Sequence, residues 1–155
     1  MNVTTQQPVG DVIPPCPHFR DCGACQLQHL DDATYRSQKE SAVKTMMDEN
    51  GIRPATYLPS VFIPAGTRRR VTFSAIKDGD DITIGFHRYH SHDIAPVKDC
   101  LLLTPALRKI YEMLPDALRP VLPRAVQVDI MLQQCDTGAV DCLITGLKPR
   151  DEARL

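Results

Sequence analysis

Tryptophan is absent from this chain, and tyrosine and phenylalanine supply only four residues each, so a core has to rest on Leu, Ile, Val and Met. No apolar run approaches the length of a membrane-spanning helix, which removes that class. The opening residues carry no basic–apolar–cleavage pattern, so 1–14 reads as a disordered lead-in of a cytoplasmic protein and not as an export signal. Charge of one sign is also missing: the net charge is -1, and the whole molecule is not a basic nucleic-acid binder. Nucleotide and hydrolase motifs are absent as well. The chain has no G-x-G-x-x-G, P-loop, H-E-x-x-H or G-x-S-x-G, and no spacing of Cys, His and Asp marks a nucleophile with its base. No catalytic residue is assigned.

What the chain has is cysteine. Cys16, Cys22 and Cys25 lie at C-x5-C-x2-C spacing in a loop flanked by Pro15 and Pro17. Without an export signal, clustered cysteines point to metal or redox chemistry rather than a disulfide framework. Zinc would accept His18 or His29 as a fourth ligand. A cubane iron–sulfur cluster would prefer a fourth thiolate from Cys100, Cys135 or Cys142. Cys142 sits on the apolar alternation of its segment and reads as a small buried hydrophobe. Cys100 ends a strand-like segment and can deliver its thiol across the fold.

The composition, 43% hydrophobic and 24% charged over 155 residues, suits one soluble domain. A helix is expected over about 32–50, capped by Asp31 or Asp32 and stopped at Gly51. Its stripe of Tyr35, Ala42, Val43, Met46 and Met47 reads as core packing. Residues 69–76 and 82–89 alternate and flank a turn at 77–81, which makes a β-hairpin. Val71, Phe73 and Ala75 share one face, and Arg70, Thr72 and Ser74 the other. In the second strand His87 and Gly85 lie on the polar side, with Gly85 leaving room for another backbone. A short strand follows over 92–96. Thr104 caps a second helix with Pro105 at its first position, and Pro115, Pro120 and Pro123 limit it. A second hairpin joins 126–132 to 140–146 across Asp136-Thr137-Gly138. Residues 148–155 read as a helix beginning. The fold class is α+β: antiparallel hairpins, two principal helices and a cysteine-rich loop.

Arg68-Arg69-Arg70 is a basic run, and His87, Arg88, His90, His92 and Lys98 form a second cluster. A solvated strand edge is the plain reading of the arginines; a phosphate-binding strip is the other. Strict alternation puts Arg68 and Arg70 on the polar face and leaves Arg69 to pair with a carboxylate.

Pro15-Cys16-Pro17-His18-Phe19, Cys22-Gly23-Ala24-Cys25 and Gln28-His29 closely resemble the iron–sulfur signature of bacterial RNA uracil-C5 methyltransferases. Arg68-Arg69-Arg70-Val71-Thr72-Phe73, Gly85-Phe86-His87 and Asp93-Ile94 leading to Asp99-Cys100 extend the match across roughly 15–147. The family's usual second Gly is Ala24 here. The resemblance implies a 4Fe–4S cluster on Cys16, Cys22, Cys25 and Cys100. It implies structured rRNA or tRNA as partner, with Arg68, Arg70, His87 and Arg88 as RNA contacts. It also implies that 15–147 is the cluster-bearing, RNA-recognising domain and that 148–155 begins a connection to a methyltransferase domain. S-adenosylmethionine would bind only in the full-length enzyme. The alternative is a stand-alone zinc-bearing nucleic-acid-binding or interaction module.

Overall fold

The computed structural model describes residues 11–147. Most of the expected lead-in over 1–14 and all of the expected tail over 148–155 lie outside the described residues. The chain divides into two compact units, each of them discontinuous in sequence. Of the described residues, the first unit holds 11–17 and 26–63, and the second holds 18–25 and 64–147.

The first unit contains one helix, α1 (Asp32–Glu49). Asp31 is its N-cap: the carboxylate accepts the Thr34 N–H at 2.7 Å, satisfying a donor the first turn leaves open. That bond holds the Asp31 carboxyl below its ordinary value. Asn50 closes the other end, and Gly51 follows in the left-handed region at φ 69°. Tyr35 meets Phe62 edge-on at 6.0 Å between centroids, and the Arg36 guanidinium lies 4.4 Å from the Phe62 centroid.

The expected burial of the α1 stripe is not found. No α1 residue is buried, and Met46 is 62% exposed. Among the described residues, this unit has no second helix and no multi-residue strand to cover the stripe.

The second unit is a five-stranded antiparallel sheet backed by one helix. Its elements are β1 (Arg70–Asp78), β2 (Asp81–His87), β3 (Ile94–Pro96), α2 (Pro105–Leu118), β4 (Gln127–Gln134) and β5 (Val140–Thr145), in sheet order β3-β2-β1-β4-β5. Both hairpins stand where the alternation placed them. In β1, Val71, Phe73 and Ala75 are buried, and they face Val128, Ile130 and Leu132 of β4 and Ile84 of β2. Leu107, Tyr111, Leu114 and Leu118 of α2 close this core. Phe73 is its hub, 4.5 Å from the Tyr111 ring and 4.8 Å from the Phe86 ring.

Two expectations are corrected here. The second helix does not stop at Pro115 but runs through it to Leu118. An internal proline costs about 3 kcal/mol, and full burial of a leucine returns roughly 2–3 kcal/mol. Leu114 and Leu118 are both buried one turn apart, so packing carries the helix past the break. Cys142 was expected to be buried and is exposed. Its strand, β5, is at the sheet edge and pairs only with β4.

Gly85 has the role its position suggested. A Cβ there would stand 1.8 Å from the Ala95 carbonyl oxygen, so only glycine lets β3 pair this closely with β2.

Candidate cysteine loop and nucleic-acid interface

Residues 18–25 form a tight turn seated on the end of β2. Asp21 and Cys22 both donate their N–H groups to the His18 carbonyl, at 3.2 and 2.9 Å. The Gly23 N–H donates to the His87 carbonyl at 2.9 Å, and a Cβ on Gly23 would meet that same oxygen at 2.7 Å. Asp21 pairs with Arg88. The Lys98 N–H donates to His18 Nε2 at 3.2 Å. His18 therefore spends Nε2 on a backbone amide, which leaves only its other nitrogen for a zinc ion.

This seating brings Cys22 to the core that contains Cys100. Cys100 is buried, and Cys22 is half-buried against the same cluster. Tyr111 lies within electrostatic reach of both. Its hydroxyl serves two backbone carbonyls, Ile84 at 3.1 Å and Val97. Burial first, and then Cys100 and Cys22, push its phenol well above the ordinary range. Val97 sits three residues before Cys100, so this hydroxyl fixes the turn that carries the thiol. Asp99, next to Cys100, is held by Arg108.

Cys25, half-buried, ends the same loop; Cys16, half-buried, belongs to the first unit and donates its N–H to Gln28 Oε1 at 3.3 Å. Among the described residues, no group of three or more His, Cys, Asp or Glu side chains is gathered to hold a metal ion. Cys135 donates to Asp141 at 3.3 Å at the second hairpin, and that contact raises its thiol pKa.

The arginine run splits as alternation predicts, with one difference. Arg69 pairs with Asp136 at 2.5 Å and donates to the Gln134 carbonyl at 3.1 Å. Arg70 lies on the open face of the sheet, its guanidinium 3.4 Å from Met131 Sδ. Arg68 precedes β1 and bridges Leu103 instead, its N–H donating to the Leu102 carbonyl at 2.8 Å. Among the described residues, no carboxylate pairs with Arg68 or Arg70. Arg88 is already committed to Asp21.

His87 is exposed on the open face and joins a network that sequence reasoning missed. Ser74, only 7% exposed, donates to Asp129 Oδ1 at 2.8 Å and lies 3.1 Å from His87 Nε2. Gln127 Nε2 is also 3.1 Å from that nitrogen. The sequence does hold a signal for it: Asp129 is a lone charge between Val128 and Ile130 in mid-strand, directly opposite Ser74.

No protein-family model matches the chain. It is 31% identical over 149 residues to the 23S rRNA (uracil(1939)-C(5))-methyltransferase RlmD of Pectobacterium atrosepticum, which covers 93% of this chain and 33% of that protein. The protein of the same name from Dichelobacter nodosus is 35% identical over 123 residues, 78% of this chain and 28% of its own length. An uncharacterised RNA methyltransferase of Brucella suis biovar 1 is 37% identical over 94 residues, 61% of this chain and 22% of its length. The chain thus spans about a third or less of these relatives.

Proposed function

We propose, from its homology to the RNA (uracil-C5)-methyltransferases, that this chain is the RNA-recognition portion of an S-adenosylmethionine-dependent rRNA or tRNA uracil-C5 methyltransferase. The observation that carries the reading is the similarity across 93% of the chain to a 23S rRNA methyltransferase. Methylation at C5 of a stacked uridine requires the base to be extruded, so part of the protein must grip the RNA around it. Arg68 and Arg70 suit that task, since they are exposed cations with no carboxylate paired to them among the described residues. The sequence carries no G-x-G-x-x-G loop, and this reading gives the chain a part in RNA recognition and none in methyl transfer.

A 4Fe–4S cluster on Cys16, Cys22, Cys25 and Cys100 belongs to the same proposal. The donor set is chemically right, being thiols only. Support within the second unit comes from the anchored 18–25 loop, which brings Cys22 to the neighbourhood of buried Cys100. When bound, the cluster would supply a rigid thiolate-held brace; no step of methyl transfer is routed through it. Tyr111 would position the Cys100 turn, and His18 the start of the loop.

The test uses the full-length protein. Affinity for a ribosomal RNA fragment is measured across a salt series for wild type, Arg68→Ala and Arg70→Ala. Each lost phosphate contact should flatten the logarithmic slope by roughly 0.7 to 0.9. Unchanged slopes in both folded variants return the run to a solvated strand edge. In parallel, anaerobically purified protein should be brown and contain iron and sulfide. Colourless protein with one tightly bound zinc would favour the zinc module instead.

A further inference from the structure

The open face of the sheet has an ordered inner layer and an exposed outer one. Ser74 has one hydroxyl proton, and it goes to Asp129 Oδ1. His87 Nε2 is turned into the sheet, toward Ser74 and Gln127. Gly85, opposite Ser74, has no side chain to block the imidazole. Among the described residues, nothing bonds to the outward atoms: His87 Nδ1, Asp129 Oδ2, Gln127 Oε1 and the Thr72 hydroxyl. Thr72, His87, Gln127 and Asp129 are all exposed.

The chemistry of this patch is not that of a phosphate site. An exposed carboxylate at its centre repels phosphate, and the Arg70 guanidinium lies at the patch's margin, beside Met131, which pairs with Thr72. Among the described residues, no Phe or Tyr ring lies within the patch itself: Phe73 and Tyr111 are buried in the core, Phe86 packs against it on the other side of the sheet, and the ring beside His87 is His92, edge-on at 6.1 Å between centroids. What remains is a set of fixed donors and acceptors, the kind of surface that reads the edges of unstacked bases.

We propose that Thr72, His87, Gln127 and Asp129, braced by Ser74, form a base-edge reading site for single-stranded RNA, selecting bases that carry an imino N–H. The inference rests on the RNA-recognition reading above, with Arg68 and Arg70 as the phosphate contacts. Uracil presents N3–H, which donates to the Asp129 carboxylate, beside a carbonyl that accepts from His87 Nδ1–H, the tautomer set by the Gln127 amide donating to His87 Nε2. Cytosine presents a bare N3 lone pair there, which the carboxylate repels. Phosphate contacts set position and base contacts set preference, so the two groups of residues separate by experiment.

The full-length protein is titrated with the single strands rU12 and rC12 by fluorescence anisotropy, across a salt series. Wild type should bind rU12 about tenfold tighter, in the range of one good base contact. Asp129→Asn and Gln127→Ala should reduce that ratio to roughly threefold or less with an unchanged salt slope, because neither residue touches phosphate. Ser74→Ala should lower the ratio through His87 and Asp129. Arg70→Ala should weaken both strands equally and flatten the slope. Two results overturn the site while leaving RNA recognition intact: equal wild-type affinity for the two strands, or a ratio that survives both Asp129→Asn and Gln127→Ala. A network that only ties β1, β2 and β4 together would show lower melting temperatures with the ratio preserved. Failure of wild type to bind either strand would remove the RNA reading itself.

Discussion

Gly85→Ala is the sharpest perturbation the fold offers. The new methyl group would stand 1.8 Å from the Ala95 carbonyl oxygen and 2.9 Å from its carbon. Carbon and oxygen come into ordinary contact at roughly 3.3 Å, so the strands must separate by about 1.5 Å. The clash is with backbone, and no rotamer change relieves it. The β2–β3 pairing is only three residues long, and Ala95 and Val97 are 1% and 6% exposed. Losing two ladder bonds at about 1 kcal/mol each, with part of that burial at about 25 cal/mol per Å², gives roughly 3–5 kcal/mol. A domain of this size is stable by about 5–15 kcal/mol in all. Gly79→Ala is the control: it has open space around it, and only its φ of 60° opposes a side chain, a cost of about 1–2 kcal/mol. Urea unfolding of both variants followed by circular dichroism checks the difference. A Gly85→Ala loss no greater than that of Gly79→Ala would refute the argument, because it would mean that β3 yields without cost.

Tyr111→Phe removes a hydroxyl that serves two buried carbonyls, and should lower stability by roughly 1–3 kcal/mol in chemical denaturation while leaving the secondary structure intact. In anaerobically reconstituted protein, Cys22→Ser and Cys100→Ser should each lower iron content, whereas Cys142→Ser, on the exposed edge strand, should not. Arg69→Ala should leave the salt dependence of RNA binding unchanged, since its guanidinium is paired with Asp136. The Asp31 carboxyl is held below its unfolded value of 3.8, so its capping contribution is complete at neutral pH and is lost as pH falls through 3.8 and below; helicity of wild type against Asp31→Ala across an acid titration reads this directly.

Both hairpins, the helix caps at Asp31 and Thr104 and the sides taken by Arg69 and Arg70 were legible because each depends on local chemistry or on period two. Alternation also showed that His87 and Ser74 share a face. It could not show that Asp129 and Gln127 join them, since that depends on how β4 lies beside β1, which no local pattern encodes. The Met46 stripe misled for a related reason: a helix can be apolar on one side without its own unit supplying anything to cover it. Pro115 misled in the opposite sense, because Leu118 lies beyond it and buries well enough to outweigh a local break. The cysteine spacing marked Cys16, Cys22 and Cys25 as a loop of thiols, but no spacing states which carbonyls and amides seat that loop.

The loop's attachment has a consequence for the order of folding. His18 and Lys98 are joined across 80 residues of sequence, whereas the β1–β2 hairpin closes across a few. Closing so long a stretch costs roughly 4 kcal/mol of chain entropy before the contact returns anything. The sheet can assemble from 64–147 by neighbouring strands, with no help from the cysteines. The 18–25 segment then adds to a finished edge, late in folding and first to leave on mild destabilisation. Amides of Cys22 and Gly23 should therefore exchange hydrogen far sooner than those of Phe73 or Ile130 unless something with higher affinity than a few backbone bonds holds the segment down.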